Sequence, residues 1–227
     1  MRYSRQELII GQEAQQKLSG SSAVIVGVGA LGTVVSELLI RSGIKKLILI
    51  DRDIVELDNL QRQLLFKETD IGMPKPLAAK ERLKNINSEC EIEEHCQDLT
   101  PETIQSLEGA DLIIDCTDNF QTRFLINDFA RKNNLNWVYG AGIRNQGYVW
   151  FIDKEGPCFR CVFQQVQGLE TCDTVGVLNP LTTVIGSMEA LFTQMALAGL
   201  PTEKRLIKVN LENLECEKLV VRSQESC

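Results

Sequence analysis

Three polar residues and a lysine have the types and spacing needed to bind phosphate groups. Asn59, Arg62 and Gln63 share one face of a helical turn, and Lys75 stands between two prolines that restrain its backbone where the next helix begins. Because a triphosphate needs amide donors and fixed cations, we predict that these residues contact phosphate, with Gln63 either joining them or bracing Arg62. The alternative is a solvated turn in which Arg62 pairs with a carboxylate.

A glycine-rich turn precedes this segment. Gly27, Gly29 and Gly32 follow one apolar run, and Asp51 ends the next, which is the general mononucleotide-binding fingerprint. The glycines allow main-chain amides to approach phosphate, and Asp51 is the expected acceptor for a ribose hydroxyl. Asp53 either shares that role or is simply solvated. The alternative for the glycines is that they only allow a strand to pack on a helix.

A further carboxylate, Asp118, follows the buried run 112–115. In open α/β sheets the carboxyl ends of the strands bind ligands, so Asp118 is a candidate magnesium ligand. The alternative is that Asp118 caps a helix that starts at Phe120.

Apolar, β-branched runs alternate with stretches of helical spacing, which predicts a Rossmann-like α/β fold with a largely parallel sheet flanked by helices. The predicted strands are 23–26, 47–50, 112–114 and 137–139, and the predicted helices follow Gly29, begin near Pro76, begin after Pro101, and span 120–132. Runs at 148–152, 205–209 and 218–221 predict that the sheet continues with mixed strand orientation. The low-charge stretch 179–200 is interpreted as a buried helix, with Pro180 in its first turn and Gly199 at its end.

Length and charge limit the remaining possibilities. The 227 residues fit one domain, divided into an N-terminal helical arm (1–20), a nucleotide-binding part (21–145) and a part that binds a carrier and a metal (146–227). A net charge of -7 without a basic stripe argues against nucleic acid. Glu189 argues against a membrane span at 179–200. No targeting sequence is recognisable, so we expect a cytoplasmic protein without a membrane partner.

The eight cysteines are interpreted as thiols and metal ligands. Cys158 and Cys161 have the spacing of half a zinc site, with a redox pair as the alternative. Cys216 is a possible additional ligand. Cys172 lies in a polar loop that a ligand can reach. Three further cysteines, Cys90, Cys96 and Cys116, are expected to be packing or strand residues.

Several of these segments together resemble the ThiF/MoeB/HesA family of ubiquitin-activating-like adenylyltransferases, and the resemblance covers nearly the whole chain. The segments are 2–6, the glycine turn, 51–53, 59–63, Pro74-Lys75, 116–119 with Arg123 and Asn127, and 140–144.

The resemblance implies a homodimeric enzyme that uses MgATP to adenylate the C-terminal glycine of a small ubiquitin-like or sulfur-carrier protein with a Gly-Gly terminus. It places Asp51 at the ribose, the Asn59, Arg62 and Lys75 group at the phosphates, and Asp118 at Mg²⁺. Arg5 enters the site of the neighbouring subunit. Cys172 takes sulfur or an acyl group in some members, and Cys227 falls where the second pair of zinc ligands begins, so the Zn²⁺ ligand set is incomplete in this sequence.

The chemistry fits these residues because a carboxylate attacks ATP without a general base. The only histidine, His95, is expected at the surface or at a strand edge. The competing hypotheses are an NAD-dependent oxidoreductase that uses the same glycine turn, and a non-catalytic regulatory subunit that binds a carrier protein.

Overall fold

The computed structural model describes residues 2–163 and 176–223, which contain six α-helices and eight strands that form one sheet. The helices are α1 (Ser4–Ile10), α2 (Gln12–Leu18), α3 (Gly32–Ser42), α4 (Lys75–Ile86), α5 (Phe120–Lys132) and α6 (Asn179–Leu197). The strands are β1 (Ser22–Val26), β2 (Lys46–Ile50), β3 (Glu91–His95), β4 (Leu112–Asp115), β5 (Trp137–Ile143), β6 (Gln146–Ile152), β7 (Leu206–Asn210) and β8 (Glu215–Leu219).

The strand order is β3-β2-β1-β4-β5-β6-β7-β8. The five strands from β3 to β5 are mutually parallel, and β6, β7 and β8 each pair antiparallel with the preceding strand. The predicted Rossmann-like sheet with a mixed continuation is therefore confirmed. Since the chain leaves β1 towards β2 and later returns on its other side as β4, the carboxyl ends of β1, β2 and β4 surround the point where the strand order reverses.

Helices cover both faces of the sheet. On one face α3, α4 and α6 contribute Leu39, Leu83 and Ile185 to a continuous apolar core, while α5 packs Ile126 and Ala130 on the other face. The central parallel strands are apolar along nearly their whole length because both of their faces are buried.

The N-terminal arm consists of two short helices. Gly11, with φ of 84°, separates α1 from α2. Leu18 at the end of α2 packs against Ala198 and Leu197 at the end of α6, which fixes the arm to the body.

The sequence prediction was wrong for one helix and missed one strand. The segment after Pro101 forms only a short 3₁₀ turn, Ile104–Leu107, because the Thr103 side chain bonds to the backbone of Asp98 and Thr100, and Gly109 turns the chain at φ of 79°. Strand β3 was not predicted, since it is a charged edge strand. His95 is its last residue, as the edge-strand interpretation expected.

The long apolar segment forms the expected buried helix, with Pro180 in the first turn of α6 and Gly199 just beyond its end. Within the described ranges, no helix has the length and apolar character needed to span a membrane.

Candidate functional site at the carboxyl ends of the parallel strands

The glycine turn joins β1 to α3. Gly27 has φ of 91°, and a Cβ atom there would lie 2.7 Å from the Cys116 carbonyl oxygen, while a Cβ atom at Gly32 would lie 2.0 Å from the Gly27 oxygen. Packing therefore accounts for both glycines. It does not account for Gly29, where the nearest atom to an added Cβ would be the Gln63 Nε2 at 3.8 Å. Space at Gly29 leaves the main chain accessible to a ligand.

Asp51 ties the end of β2 to this turn. Its Oδ2 accepts the Val28 amide at 2.7 Å, and its Oδ1 accepts the Asp53 amide at 2.9 Å. Burial raises the pKa of Asp51, and these two amides partly oppose that shift. Because each carboxylate oxygen can accept a second hydrogen bond, Asp51 remains suited to a ribose hydroxyl.

Lys75 is the first residue of α4, and only 7% of its side chain is exposed. Its Nζ lies 3.0 Å from the Asp53 Oδ2, and its amide donates to the Asp53 carbonyl at 2.9 Å. Asp53 is thus the partner of Lys75, which the sequence did not indicate, since Asp53 was interpreted as a ribose ligand or a solvated group.

The segment containing Asn59, Arg62 and Gln63 differs from the solvated turn of the alternative interpretation. Asn59 and Gln63 are buried, and the Asn59 Oδ1 accepts the Glu56 amide at 3.2 Å, so that Asn59 closes its own 3₁₀ turn. Arg62 donates to the Asp58 carbonyl at 2.9 Å, not to the carboxylate that the alternative interpretation required.

Gln63 lies beneath the glycine turn, where its Oε1 is buried without a hydrogen-bond partner among the described residues. A hydrogen bond between Gln63 and Arg62 is not present in that part of the chain. A buried acceptor next to the open Gly29 is suited to receive a donor group from a ligand.

Asp118 lies in the loop between β4 and α5 with its side chain exposed. It does not cap the helix, because Asn119 takes that position and accepts the Thr122 amide at 2.9 Å. The loop packs directly on the glycine turn, since Gly27 faces the main chain of Cys116 and Thr117. The fold therefore brings the Asp118 loop beside the glycine turn, and the turn in turn contacts Asp51 and Gln63.

A buried polar cluster lies below this loop. Two of its members, Asp115 and Glu189, were not predicted from the sequence as part of the site, whereas Arg123 belongs to a segment that carries the family resemblance. Asp115 and Glu189 are fully buried, and Arg123 is 5% exposed. Burial raises the pKa of Asp115 to about 6 and that of Glu189 well above its usual range. The sequence signal for these two carboxylates is that each is a charged residue in an otherwise apolar segment, Asp115 in β4 and Glu189 in α6.

Arg5 is exposed on α1 and has no hydrogen bond or ion pair with the rest of the described chain. Its neighbours Tyr3 and Gln6 contact the C-terminal ends of α3 and α4, where Gln6 donates to the Ser42 carbonyl and the Tyr3 hydroxyl accepts from Asn87. One subunit therefore does not bring Arg5 to its own glycine turn.

Cys158 and Cys161 are buried in a short 3₁₀ turn, with their sulfur atoms 3.9 Å apart. Two thiolates of a tetrahedral zinc site with Zn–S bonds of about 2.3 Å would be separated by about 3.8 Å, so the pair fits half of such a site. Across residues 2–163 and 176–223, no group of three or more potential ligands forms a metal site, and Cys216 is exposed on β8.

The remaining cysteines divide into three groups. Cys90 and Cys116 are buried as expected, but Cys96 is exposed, so its interpretation as a packing residue was wrong. Cys172 and Cys227 lie outside the described residues.

Comparison with known proteins gives three consistent results. The ThiF family description matches residues 3–227. The Sulfur carrier protein ThiS adenylyltransferase of Bacillus subtilis is 42% identical over 186 residues, covering 79% of this chain and 55% of that protein. The Sulfur carrier protein adenylyltransferase of Thermus thermophilus is 33% identical over 240 residues, covering 100% of this chain and 89% of its own length.

A third relative, the SAMP-activating enzyme E1 of Haloferax volcanii, is 31% identical over 234 residues, covering 100% of this chain and 87% of its own length. The chain thus spans about half the length of the B. subtilis relative but most of the other two. The crystal structure of E. coli MccB with ATP superposes with a TM-score of 0.88 at 22% identity, covering 100% of this chain and 73% of MccB, which establishes similarity of fold.

Proposed function

This chain belongs to the ThiF family, and we propose that it is an ATP-dependent adenylyltransferase. It activates the C-terminal glycine carboxylate of a small ubiquitin-like or sulfur-carrier protein, giving an acyl-adenylate and pyrophosphate. The observation that carries the proposal is the convergence of the phosphate-binding elements on the glycine turn. Asp51 bonds to that turn, Gln63 lies under it, and the Asp118 loop packs on it. The names of the sulfur-carrier relatives support the same reaction.

The reaction needs positioning and charge neutralisation more than proton transfer. The attacking carboxylate is already ionised and is repelled by the triphosphate, so cations must offset that repulsion and the charge that develops on pyrophosphate. Lys75 is held for this task by Asp53, and Arg62 is held by the Asp58 carbonyl. Amides of the glycine turn and the start of α3 orient further phosphate oxygens.

Asp118 fits the requirements for holding Mg²⁺. Mg²⁺ is usually bound by one or two carboxylates together with substrate phosphates, and the exposed Asp118 carboxylate has no hydrogen bond within the described residues. Bound Mg²⁺ would neutralise phosphate charge in this site.

We propose a homodimer in which Arg5 of one subunit completes the site of the other. Arg5 has no partner in the described part of its own chain, and its helix α1 exposes Leu8 and Ile9 by 77% and 86%. Glu189 is the only charged residue of α6, and it points into the core, so that α6 presents only uncharged residues, including Val184 and Leu191, to its exposed side. Apolar exposed surfaces of this kind support burial against a second copy.

We also propose that Cys158 and Cys161 supply half of a Zn²⁺ site, with Cys227 as a further ligand. Their separation supports this assignment. Cys172 is proposed to react with the activated carrier. The three parts of the chain, 1–20, 21–145 and 146–227, then serve as an arm, a nucleotide-binding part and a carrier- and metal-binding part of a cytoplasmic enzyme.

The alternative, an NAD-dependent oxidoreductase, gains no support from the relatives described above. Titration with ATP and with NADH separates the two hypotheses. Tight NADH binding without ATP binding would reverse the proposal.

The central test is ATP–pyrophosphate exchange in the presence of candidate carriers that end in Gly-Gly. Arg62→Ala and Asp118→Ala should each lower the exchange rate by about 100-fold or more. Arg41→Ala removes an exposed arginine that pairs with Glu37 in the last turn of α3, and it should leave exchange unchanged. Full exchange in Arg62→Ala and Asp118→Ala would refute the residue assignments, and absence of exchange with every carrier would refute the function.

Mass spectrometry of the enzyme mixed with ATP and each carrier tests the covalent step. A carrier adduct that is lost in Cys172→Ser would support a role for that cysteine. An unchanged adduct in Cys172→Ser would assign the thiol chemistry elsewhere.

A further inference from the structure

The Asp118 loop combines an exposed carboxylate with a firmly held main chain. The Asp115 Oδ1 accepts both the amide and the hydroxyl of Thr117, at 3.0 and 2.6 Å. On the other side of Asp118, the Asn119 side chain caps α5. The residues on both sides of Asp118 are therefore fixed, whereas its own carboxylate projects without a hydrogen bond to the described chain.

Arg123 also holds the main chain of this loop. Its Nη2 donates to the Thr117 carbonyl at 2.6 Å, which is the carbonyl of the peptide bond that leads into Asp118. The guanidinium lies 5.0 Å from the Phe120 ring and 5.2 Å from the Tyr139 ring, so aromatic contacts restrict its movement. A charge-assisted bond of this length strongly restrains the position of the loop.

Arg123 also lies close to the Asp115 carboxylate without a hydrogen bond to it. Its Nε is 3.5 Å from the Asp115 Oδ2, yet neither atom has a hydrogen bond within the described residues. Asp115 uses its other oxygen for Thr117, and Arg123 uses Nη2 for the same residue. Both side chains thus act on Thr117, and their mutual attraction keeps the buried charges balanced.

The loop that Arg123 holds also contacts the glycine turn. A Cβ atom at Gly27 would lie 2.7 Å from the Cys116 oxygen and 3.1 Å from the Thr117 amide nitrogen, so these main chains already touch. A shift of Thr117 would therefore change the position of Asp118 relative to the phosphate-binding turn.

We propose that Arg123 is a positioning residue that sets the Asp118 carboxylate for Mg²⁺ through the Thr117 carbonyl. This inference rests on the proposed function, in which Asp118 holds Mg²⁺ beside ATP. Arg123 itself touches neither the metal nor the nucleotide in this role. Its loss should affect the contribution of Mg²⁺ to ATP binding more than it affects binding of ATP alone.

Arg131 provides a matched control on the same helix. It also donates to main-chain carbonyls, those of Lys154 and Gly156, but it lies in the last turn of α5, away from Asp118. Arg123→Lys retains a cation in the buried position while removing the planar fork, and Arg131→Lys makes the same change at the control site. Arg123→Gln and Arg131→Gln form a second pair without the charge.

The experiment measures ATP affinity by calorimetry without any carrier, so that no turnover occurs. Titrations are made in EDTA and at increasing free Mg²⁺, and thermal unfolding is recorded for every variant. In Arg123→Lys and Arg123→Gln, the gain in ATP affinity caused by Mg²⁺ should fall by about tenfold, while affinity in EDTA matches wild type. Both Arg131 variants should keep the full gain, whatever their melting temperatures.

The outcomes separate the two proposals. If wild type gains ATP affinity with Mg²⁺ and the Arg123 variants gain as much, the positioning role is wrong and the proposed function stands. If the Arg123 and Arg131 variants lose the gain equally, the effect is a general weakening of α5 and the positioning role is again wrong. If wild type does not bind ATP under any condition, the proposed function fails and this inference fails with it.

Discussion

The glycine turn has two flanks that hold their charges in opposite ways. The β2 flank is the end of β2 with Asp53 and Lys75, and the β4 flank is the end of β4 with Asp115, Arg123 and Glu189. On the β2 flank, Lys75 pairs with Asp53, whose side chain is 53% exposed. On the β4 flank, Asp115 and Glu189 are fully buried close to the cation Arg123. A pair that reaches solvent can exchange partners with a ligand at little free-energy cost, whereas a buried cluster loses several kcal/mol when one member is removed. We therefore expect the β2 flank to exchange partners on nucleotide binding and the β4 flank to maintain geometry.

Removing the cation of the β2 flank should give the largest effect on activity. Lys75→Met should lower ATP–pyrophosphate exchange by about 100-fold or more, because one charge-stabilising donor typically contributes that much. Stability should change by less than about 1 kcal/mol, since water can solvate the released Asp53 carboxylate. Exchange assays and thermal unfolding measure the two effects.

Lys80→Met is the matched control, because Lys80 lies on the same helix and pairs with Glu94 on β3 instead. It should leave exchange unchanged. Equal exchange rates in the two variants would show that Lys75 has only a structural role.

The glycine turn itself should separate folding from binding. Gly27→Ala should destabilise the protein by about 2 to 3 kcal/mol, because its φ of 91° and the 2.7 Å approach to the Cys116 oxygen leave no room for a Cβ atom. Gly29→Ala should leave stability unchanged and weaken ATP binding by about tenfold, or about 1.4 kcal/mol. Denaturant unfolding and ATP titration measure these effects, and equal destabilisation by both substitutions would contradict the distinction.

The β4 flank should be recognisable from the pH dependence of stability. Glu189 has a higher pKa in the folded protein than its ordinary value of 4.5, so folding favours its protonated form. The resulting stabilisation is fully present below pH 4.5 and is lost as pH rises towards the folded pKa, by about 1.4 kcal/mol per pH unit. Asp115 acts with the same sign between pH 3.8 and about 6.

Glu189→Gln should remove the contribution of Glu189 and leave that of Asp115. The variant should therefore gain stability relative to wild type as pH rises from 5 to 8, while exchange activity at neutral pH is retained. The groups facing Glu189 are Asp115 at the end of β4, Cys116 just after it, Arg123 on α5 and Tyr139 on β5, and all remain in the variant. Parallel stability curves for the two proteins, measured by urea unfolding, would show that Glu189 is ionised in the fold.

The sequence allowed accurate prediction where local pattern determines structure. Helix α5 has the predicted bounds Phe120–Lys132, and the parallel strands lie at their apolar runs. Strand β3 could not be predicted, because its exposed charges hide the burial of Ile92. The two buried carboxylates of the β4 flank, Asp115 and Glu189, were missed for a related reason. Glu189 in an apolar helix argued against a membrane span, but only tertiary packing places it beside Cys116.

The residues that are predicted to bind phosphate show the same limit. Their types and spacing indicated phosphate, yet the burial of Asn59 and Gln63 depends on the 3₁₀ turn that Asn59 closes and on the position of Gly29. The pairing of Asp53 with Lys75 joins two segments separated by a loop, and no local pattern contains that information. Residue types thus led to the prediction of phosphate binding, whereas tertiary contacts determine which side chain holds which.

The smallest expected effect gives the sharpest test of the β2 flank, because its sign decides the role of Asp53. If Asp53 only holds Lys75 until phosphate arrives, Asp53→Asn removes a competing carboxylate and should strengthen ATP binding by up to about 1 kcal/mol. If Asp53 instead receives the ribose hydroxyls, the same substitution should weaken ATP binding. Asp98→Asn is the control, because Arg52 pairs with both Asp53 and Asp98, at 3.5 and 3.2 Å, and this substitution disturbs Arg52 while keeping the carboxylate that pairs with Lys75. Calorimetric titration with ATP measures both variants. An ATP affinity of Asp53→Asn below that of Asp98→Asn would show that Asp53 binds the ribose and is not only the partner of Lys75.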